Sequence, residues 1–272
     1  MTECMTYFFS PGLTYSGSEF EDIIRRFHEQ GTLVGDGTRN VVKYFNINGR
    51  NVNFKSFKEP NLFNKIVYRY FRKSKARRSF ENARYLLSCG LQTPEPLAYL
   101  EYNDLLGLHS SYYICRQLDN VVELRNVIND PHYPERENII KAYTRYFFSM
   151  HEKGIEFLDN SPGNSLVEKE GDQYKIFLVD LNRMNFKKSL SLGERMGNFA
   201  RLTTDAEVMR TIANEYALLS NHPFDDLYAR IIANAGRFKK QKSRKKSFKK
   251  KLRRIRDLAG ISGSLPVLPD LT

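Results

Sequence analysis

A chain of 272 residues with 41% hydrophobic and 13% aromatic side chains has the composition of a globular protein and the length for one bilobal unit or two small domains. It holds no apolar run near the roughly 20 residues that cross a bilayer, no signal-peptide pattern at Met1-Thr-Glu-Cys-Met, and no metal-ligand spacing among Cys4, Cys89 and Cys115, so a protein of the reducing cytoplasm is expected. The net charge of +12 belongs to one segment: between Arg237 and Arg256 there are thirteen Lys and Arg and no Asp or Glu, which leaves −1 for the rest of the chain.

In chain order, Ser18-Glu-Phe-Glu21 reads as a capping box opening a helix with Phe20, Ile23, Ile24 and Phe27 on one side, closed near Gly31. Residues 32–37, 41–45 and 51–57, with Asn48-Gly49 as a turn signal, predict a three-strand antiparallel meander. A helix over 77–88 ends at Gly90, and Thr93-Pro-Glu-Pro96 forces an extended connection to two more strands at 97–102 and 112–118. Beyond Val121 the pattern is mainly helical. Ile139, Ile140, Tyr143, Phe147 and Met150 recur with helical period, and Gly154 supplies the stop. Leu166-Val167 and 174–179 then predict a hairpin turning at Glu168-Lys-Glu-Gly-Asp172.

That hairpin has a chemical consequence. Asp159 lies just past the helix, Asn164 follows five residues on beyond a Pro162-Gly163 turn, and the hairpin would bring Asn164 beside Asp180. Phosphoryl transfer from ATP requires a carboxylate beside the acceptor hydroxyl and further oxygen ligands for magnesium, and this trio supplies them.

Five strands with one inserted helix, followed by a helical half carrying Asp159, Asn164 and Asp180, resembles the protein-kinase-like architecture and, within it, the lipopolysaccharide core kinase family of Kdo and heptose kinases, over residues 30 to 200. The resemblance implies an α+β bilobal fold: an antiparallel-sheet N-lobe with one helix (1–118), a mainly helical C-lobe (119–236) and a basic tail (237–272). It also implies roles. Asp159 would be the catalytic carboxylate, Asn164 and Asp180 the magnesium ligands, and Lys55 in Val52-Asn-Phe-Lys55 the phosphate-contacting lysine, held by Glu81 on the neighbouring helix. Lys58 is the second candidate for that lysine, and the odd spacing lets only one of the two face the nucleotide. Gly35-Asp36-Gly37 falls where a glycine-rich loop would cover the phosphates of ATP. Asp180-Leu-Asn182 stands where protein kinases have Asp-Phe-Gly, and Phe157-Leu158 stands where they have His-Arg, so control by a phosphorylated activation loop is not expected. His151 is read as a satisfied histidine that could also support Asp159.

In the tail, Phe248, Leu252, Ile255 and Ala259 recur at helical spacing among Lys and Arg. A basic amphipathic helix suits an anionic membrane surface. With the resemblance it implies a peripheral protein of the inner face of the cytoplasmic membrane, acting on the lipopolysaccharide or lipid A core glycolipid, with no nucleic-acid partner. A second basic run, residues 69–78, would contact phosphates or acidic sugars of the acceptor or form a solvated helix start. The competing readings are a phosphotransferase for another small molecule or a protein, and a pseudokinase or RNA-binding module, which would show no magnesium-dependent ATP binding.

Overall fold

Strands β1 (Cys4–Phe9), β2 (Thr32–Leu33), β3 (Val41–Ile47), β4 (Arg50–Phe57), β5 (Pro96–Asp104) and β6 (Gly107–Arg116) form one antiparallel sheet in the order β1-β5-β6-β4-β3-β2. They are seen in a computed structural model that describes residues 4–11, 15–35, 37, 40–105 and 107–258. Alternation along β4 assigns each side chain a face. Val52 and Phe54 pack with Ala98, Leu100 and Ile114 against Phe20 of α1 (Gly17–Arg25). Phe57 lies on the opposite face, with Tyr99, Tyr113 and Cys115, against Ala76, Phe80 and Ala83 of α3 (Lys75–Ser88). Lys55 shares the parity of Phe57, and its ammonium lies 5.3 Å from the Phe57 ring centre.

Three local features differ from the sequence expectation. The first helix is capped by Ser16 and Glu19, two residues before the predicted box, because Ser16-Gly-Ser-Glu19 satisfies the same spacing: Glu19 accepts from the Ser16 N–H at 2.7 Å and Ser16 Oγ accepts from the Glu19 N–H at 3.3 Å. Strand β1 adds an edge beside β5. A further helix, α2 (Leu62–Tyr70), precedes α3. Its polar residues Asn64 and Lys65 are half-buried while Leu62, Phe63, Ile66 and Tyr70 are exposed, the reverse of the pattern by which a core helix is recognised.

The second half of the chain runs β7 (Val121–Glu123), α4 (Leu124–Asn129), α5 (Arg136–Glu152), β8 (Ile155–Phe157), β9 (Ser165–Glu170), β10 (Gln173–Leu178), β11 (Met184–Phe186), α6 (Leu192–Gly197), α7 (Ala206–Ser220) and α8 (Phe224–Leu258). Tyr143, Phe147 and Met150 of α5 join Val208, Ile212 and Tyr216 of α7 and Leu227 and Ile231 of α8 in one buried cluster, which continues to Phe80 of α3. Full burial of each such side chain contributes roughly 1.5–3 kcal/mol. Strands β9 and β10 form the expected hairpin, with Leu178 opposite Ser165. Helix α8 passes without a break from its packed start into the basic segment. Phe248 is exposed there; the side chains of Leu252 and Ile255, and Ala259 altogether, lie outside the described residues.

Gly154 is the joint between α5 and the loop that carries Asp159. Its φ of +70° reverses the chain, its N–H donates to the His151 carbonyl at 2.9 Å, and its carbonyl accepts from the Lys187 N–H at 2.9 Å. A Cβ there would overlap the Lys187 carbonyl. Gly154→Ala is therefore expected to destabilise the fold by at least about 1–3 kcal/mol, measured as a lower midpoint in chemical denaturation; an unchanged midpoint would show that the joint tolerates rearrangement.

Candidate active site

The loop after β8 is held by its buried neighbours. Asn160 is fully buried: its Oδ1 accepts from the Tyr143 hydroxyl at 2.8 Å and its Nδ2 donates to the Asn198 carbonyl at 2.9 Å. With Asn160 anchored inward, the adjacent Asp159 faces the other way, and its Oδ1 accepts from Arg201 at 2.7 Å and Arg183 at 3.4 Å. Asn164 Nδ2 donates to the Asp159 carbonyl at 2.8 Å, which leaves the Asn164 Oδ1 as the oxygen that can serve as a ligand. The Val179 N–H donates to the Asn164 carbonyl at 3.0 Å, so the hairpin sets Asn164 next to the segment that begins with Asp180.

Asp180 adopts a left-handed φ of +62°, which is uncommon outside glycine. Its Oδ1 accepts from Lys55 Nζ at 2.6 Å and from Asn182 Nδ2 at 2.7 Å. Burial opposes ionisation of this carboxyl, but the Lys55 charge and the two hydrogen bonds outweigh it and hold the group below the ordinary carboxylate range. Helix α3 clamps the backbone just beyond: Asn82 Nδ2 donates to the Leu181 carbonyl at 2.6 Å and Arg78 to the Asn182 carbonyl at 2.9 Å. Residues 78 and 82 are one turn apart, on one side of the helix.

Of the residues singled out in the sequence, Asp159 is thus bonded to Asn164 and Lys55 to Asp180, and the two pairs are joined through the backbone of Val179, which precedes Asp180. Lys58 lies one residue past the end of β4 and is exposed. The Lys55–Glu81 pair is not formed. Glu81 is bonded by Lys73 at 2.7 Å and by Arg77, one turn back on the same helix, at 3.0 Å, while the Lys55 ammonium is taken by Asp180. Gly35 and Gly37 lie between β2 and β3 with φ of +77° and +63°, a conformation that calls for glycine; Asp36 lies outside the described residues. Arg183 and Arg201 had no signal in the sequence, since neither belongs to a spacing pattern and Arg201 reaches Asp159 from 42 residues away.

His151 does not touch Asp159. It is fully buried, with Nδ1 3.1 Å from the Tyr216 hydroxyl and Nε2 3.1 Å from Asn198 Oδ1, while Asn198 Nδ2 donates to the Phe157 carbonyl at 2.6 Å. It ties α5 to α7 and to the strand before the loop.

Over residues 24–221 the chain matches the lipopolysaccharide kinase (Kdo/WaaP) family. It belongs to that family. Membership makes it a lipopolysaccharide core kinase, a phosphotransferase acting on a sugar hydroxyl, and implies ATP as the donor substrate. Among solved structures it is similar to WaaP in complex with acyl carrier protein, at a TM-score of 0.56 and 15% identity over 82% of this chain and 92% of that one, a likeness of kinase-like fold. No curated protein sequence matches it.

Burial lowers the His151 pKa to about 4. Because the folded value is below the unfolded value of about 6.5, the folded protein binds fewer protons between the two, and stability present above pH 6.5 is lost as pH falls towards 4. Chemical denaturation should show this residue costing about 2 kcal/mol between pH 7 and pH 5. His151→Gln should be less stable at pH 7 and should lose that part of the pH dependence; parallel profiles for the two proteins would contradict the assignment.

Proposed function

We propose that this kinase transfers the γ-phosphoryl group of ATP, with magnesium, to a hydroxyl of a Kdo or heptose residue in the lipopolysaccharide inner core. The observation that carries the reading is the contact between Lys55 and Asp180, with Asn164 just before β9, bonded to the backbone that leads into Asp180, and Asp159 on the same loop as Asn164. Asp159 orients the acceptor hydroxyl and accepts its proton as the oxygen attacks the γ-phosphorus. Lys55 contacts the α and β phosphates, which compete with Asp180 for its ammonium. The backbone N–H groups of Gly35 and Gly37 cover the phosphates. In this reading the six-stranded sheet with α3 is the nucleotide-covering lobe and the helical half is the second.

The donor set fits magnesium. Asp180 and Asn164 offer hard oxygen atoms, and no group of three or more His, Cys, Asp or Glu forms a closed cage among the described residues, which suits an ion that retains water and is completed by phosphate oxygens. Bound there, magnesium would neutralise charge on the phosphates.

A lipid-borne acceptor at the inner membrane face is supported by two surfaces. One is the basic segment of α8. The other is the outer side of α2, where Leu62, Phe63, Ile66, Tyr70 and Phe71 are exposed, Phe71 at 82%, followed directly by the exposed Arg72 and Lys73. An apolar stripe rimmed by cations matches the interface of an anionic bilayer. Among the described residues no helix is long and apolar enough to cross a membrane.

Mass spectrometry of purified Kdo-lipid A incubated with the protein, ATP and magnesium should show one added phosphate. Asp159→Asn should slow its appearance by at least about 100-fold; no added phosphate from the wild type on Kdo- or heptose-bearing cores would refute the acceptor. In vesicle sedimentation, neutralising Lys245, Lys246, Lys250 and Lys251 to Gln should weaken binding to anionic vesicles by roughly 100-fold or more at low salt. Equal retention on neutral vesicles would mean that charge does not drive the association.

A further inference from the structure

A second cluster of charge lies beside the site, around a cavity of about 420 Å³ between α3, the segment after Asp180 and the chain before α7. Arg72, Arg78, Arg183 and Arg201 line it, together with Leu158, which precedes Asp159, and Asn182. Lys55, Asp180 and Asn164 are not among its walls, so it is distinct from the set assigned to the nucleotide phosphates. The counter-charge is small. Asp159 alone pairs with Arg183 and Arg201, and neither Arg72 nor Arg78 pairs with a carboxylate among the described residues.

Two of the guanidinium groups are also held by backbone oxygens. Arg78 is fixed by the carbonyls of Asn182 at 2.9 Å and Ser74 at 3.4 Å, and Arg201 by the Leu158 carbonyl at 3.1 Å. Burial, and then the like charges of Arg72 and Arg183, hold Arg78 below the usual arginine range. Four cations around one open cavity, three of them half-buried and two braced on backbone oxygens, with one carboxylate among them, are poised for an anion rather than for one another.

We propose that this cavity is the subsite for an anionic group of the acceptor, a carboxylate or a phosphate ester, bound beside the hydroxyl that Asp159 activates. The proposal rests on the glycolipid-kinase reading and supplies its specificity. The anion also competes with Asp159 for Arg183 and Arg201, so filling the subsite frees Asp159 Oδ1 for the acceptor proton.

The test is steady-state kinetics of the full chain on Kdo-lipid A, on the same glycolipid with its Kdo carboxyl reduced to the alcohol, and on the glycolipid stripped of its lipid A phosphates. Arg72→Gln, whose side chain is exposed and braces no backbone, should raise the acceptor KM at least about tenfold while the ATP KM stays within about twofold. Arg78→Lys, which keeps the charge, should raise it less than Arg78→Gln. On the acceptor that lacks the bound anion, wild type and Arg72→Gln should converge, and which acceptor that is names carboxylate or phosphate. Equal KM on all three acceptors overturns the proposal, as does a matching rise in the ATP KM, which would assign the arginines to the nucleotide. If the wild type phosphorylates none of them, the glycolipid reading has failed separately. Calorimetric titration of free Kdo and of inorganic phosphate then decides the subsite: at least tenfold weaker binding to Arg72→Gln upholds it, and equal or absent binding overturns it.

Discussion

The contact between Lys55 and Asp180 joins residues 125 positions apart, one on a central strand of the first sheet and one at the end of the second hairpin. Both are largely shielded, with the side chains 14% and 29% exposed. Each charge therefore depends on the other: removing one partner of a buried pair leaves the second uncompensated, at a typical cost of 3–5 kcal/mol, discounted here for the remaining exposure. The rest of the site is arranged around this bond. Val52 and Phe54 face α1, which directs Lys55 to the other side of the sheet, and Asn82 and Arg78 hold the backbone that presents Asp180.

Asp159 is placed by different means. Tyr143, Asn160, Asn198 and His151 form a buried network of neutral hydrogen bonds that fixes the strand before it and the residue after it, and the pairs with Arg201 and Arg183 hold the carboxylate itself. Such a network is costly when partly broken and rigid when complete. Within that network the contacts are between neutral groups, and the charges that reach Asp159 are those of Arg183 and Arg201.

Much of this is legible in the chain because it is local. The Asp159 to Asn164 spacing, the Gly154 stop and the hairpin before Asp180 are all set within some thirty residues, where turn chemistry and alternation carry the information. The partner of Lys55 is not legible in the chain because two carboxylates compete for one ammonium, and here Lys73 and Arg77 occupy Glu81 while Asp180 takes Lys55. Helix α2 leaves no core pattern in the sequence because its apolar side faces outward, and β1 leaves none because an edge strand is identified by the neighbour it pairs with. Arg201 and Arg183 act through tertiary contacts that no spacing encodes.

Helix α8 has a mechanical side. At about 1.5 Å per residue, the part beyond Phe238 extends some 30 Å as a single rod. Its root is clamped by the buried Leu227, Ile231 and Ala235, and just past the clamp the Phe238 ring lies 5.4 Å from the Arg201 guanidinium, the same group that holds Asp159. The fulcrum of this lever is therefore one side chain away from the carboxylate. Gly236, the weakest helix former in that stretch, sits between clamp and ring, so intrinsic propensity reinforces the rod least where it comes closest to Arg201.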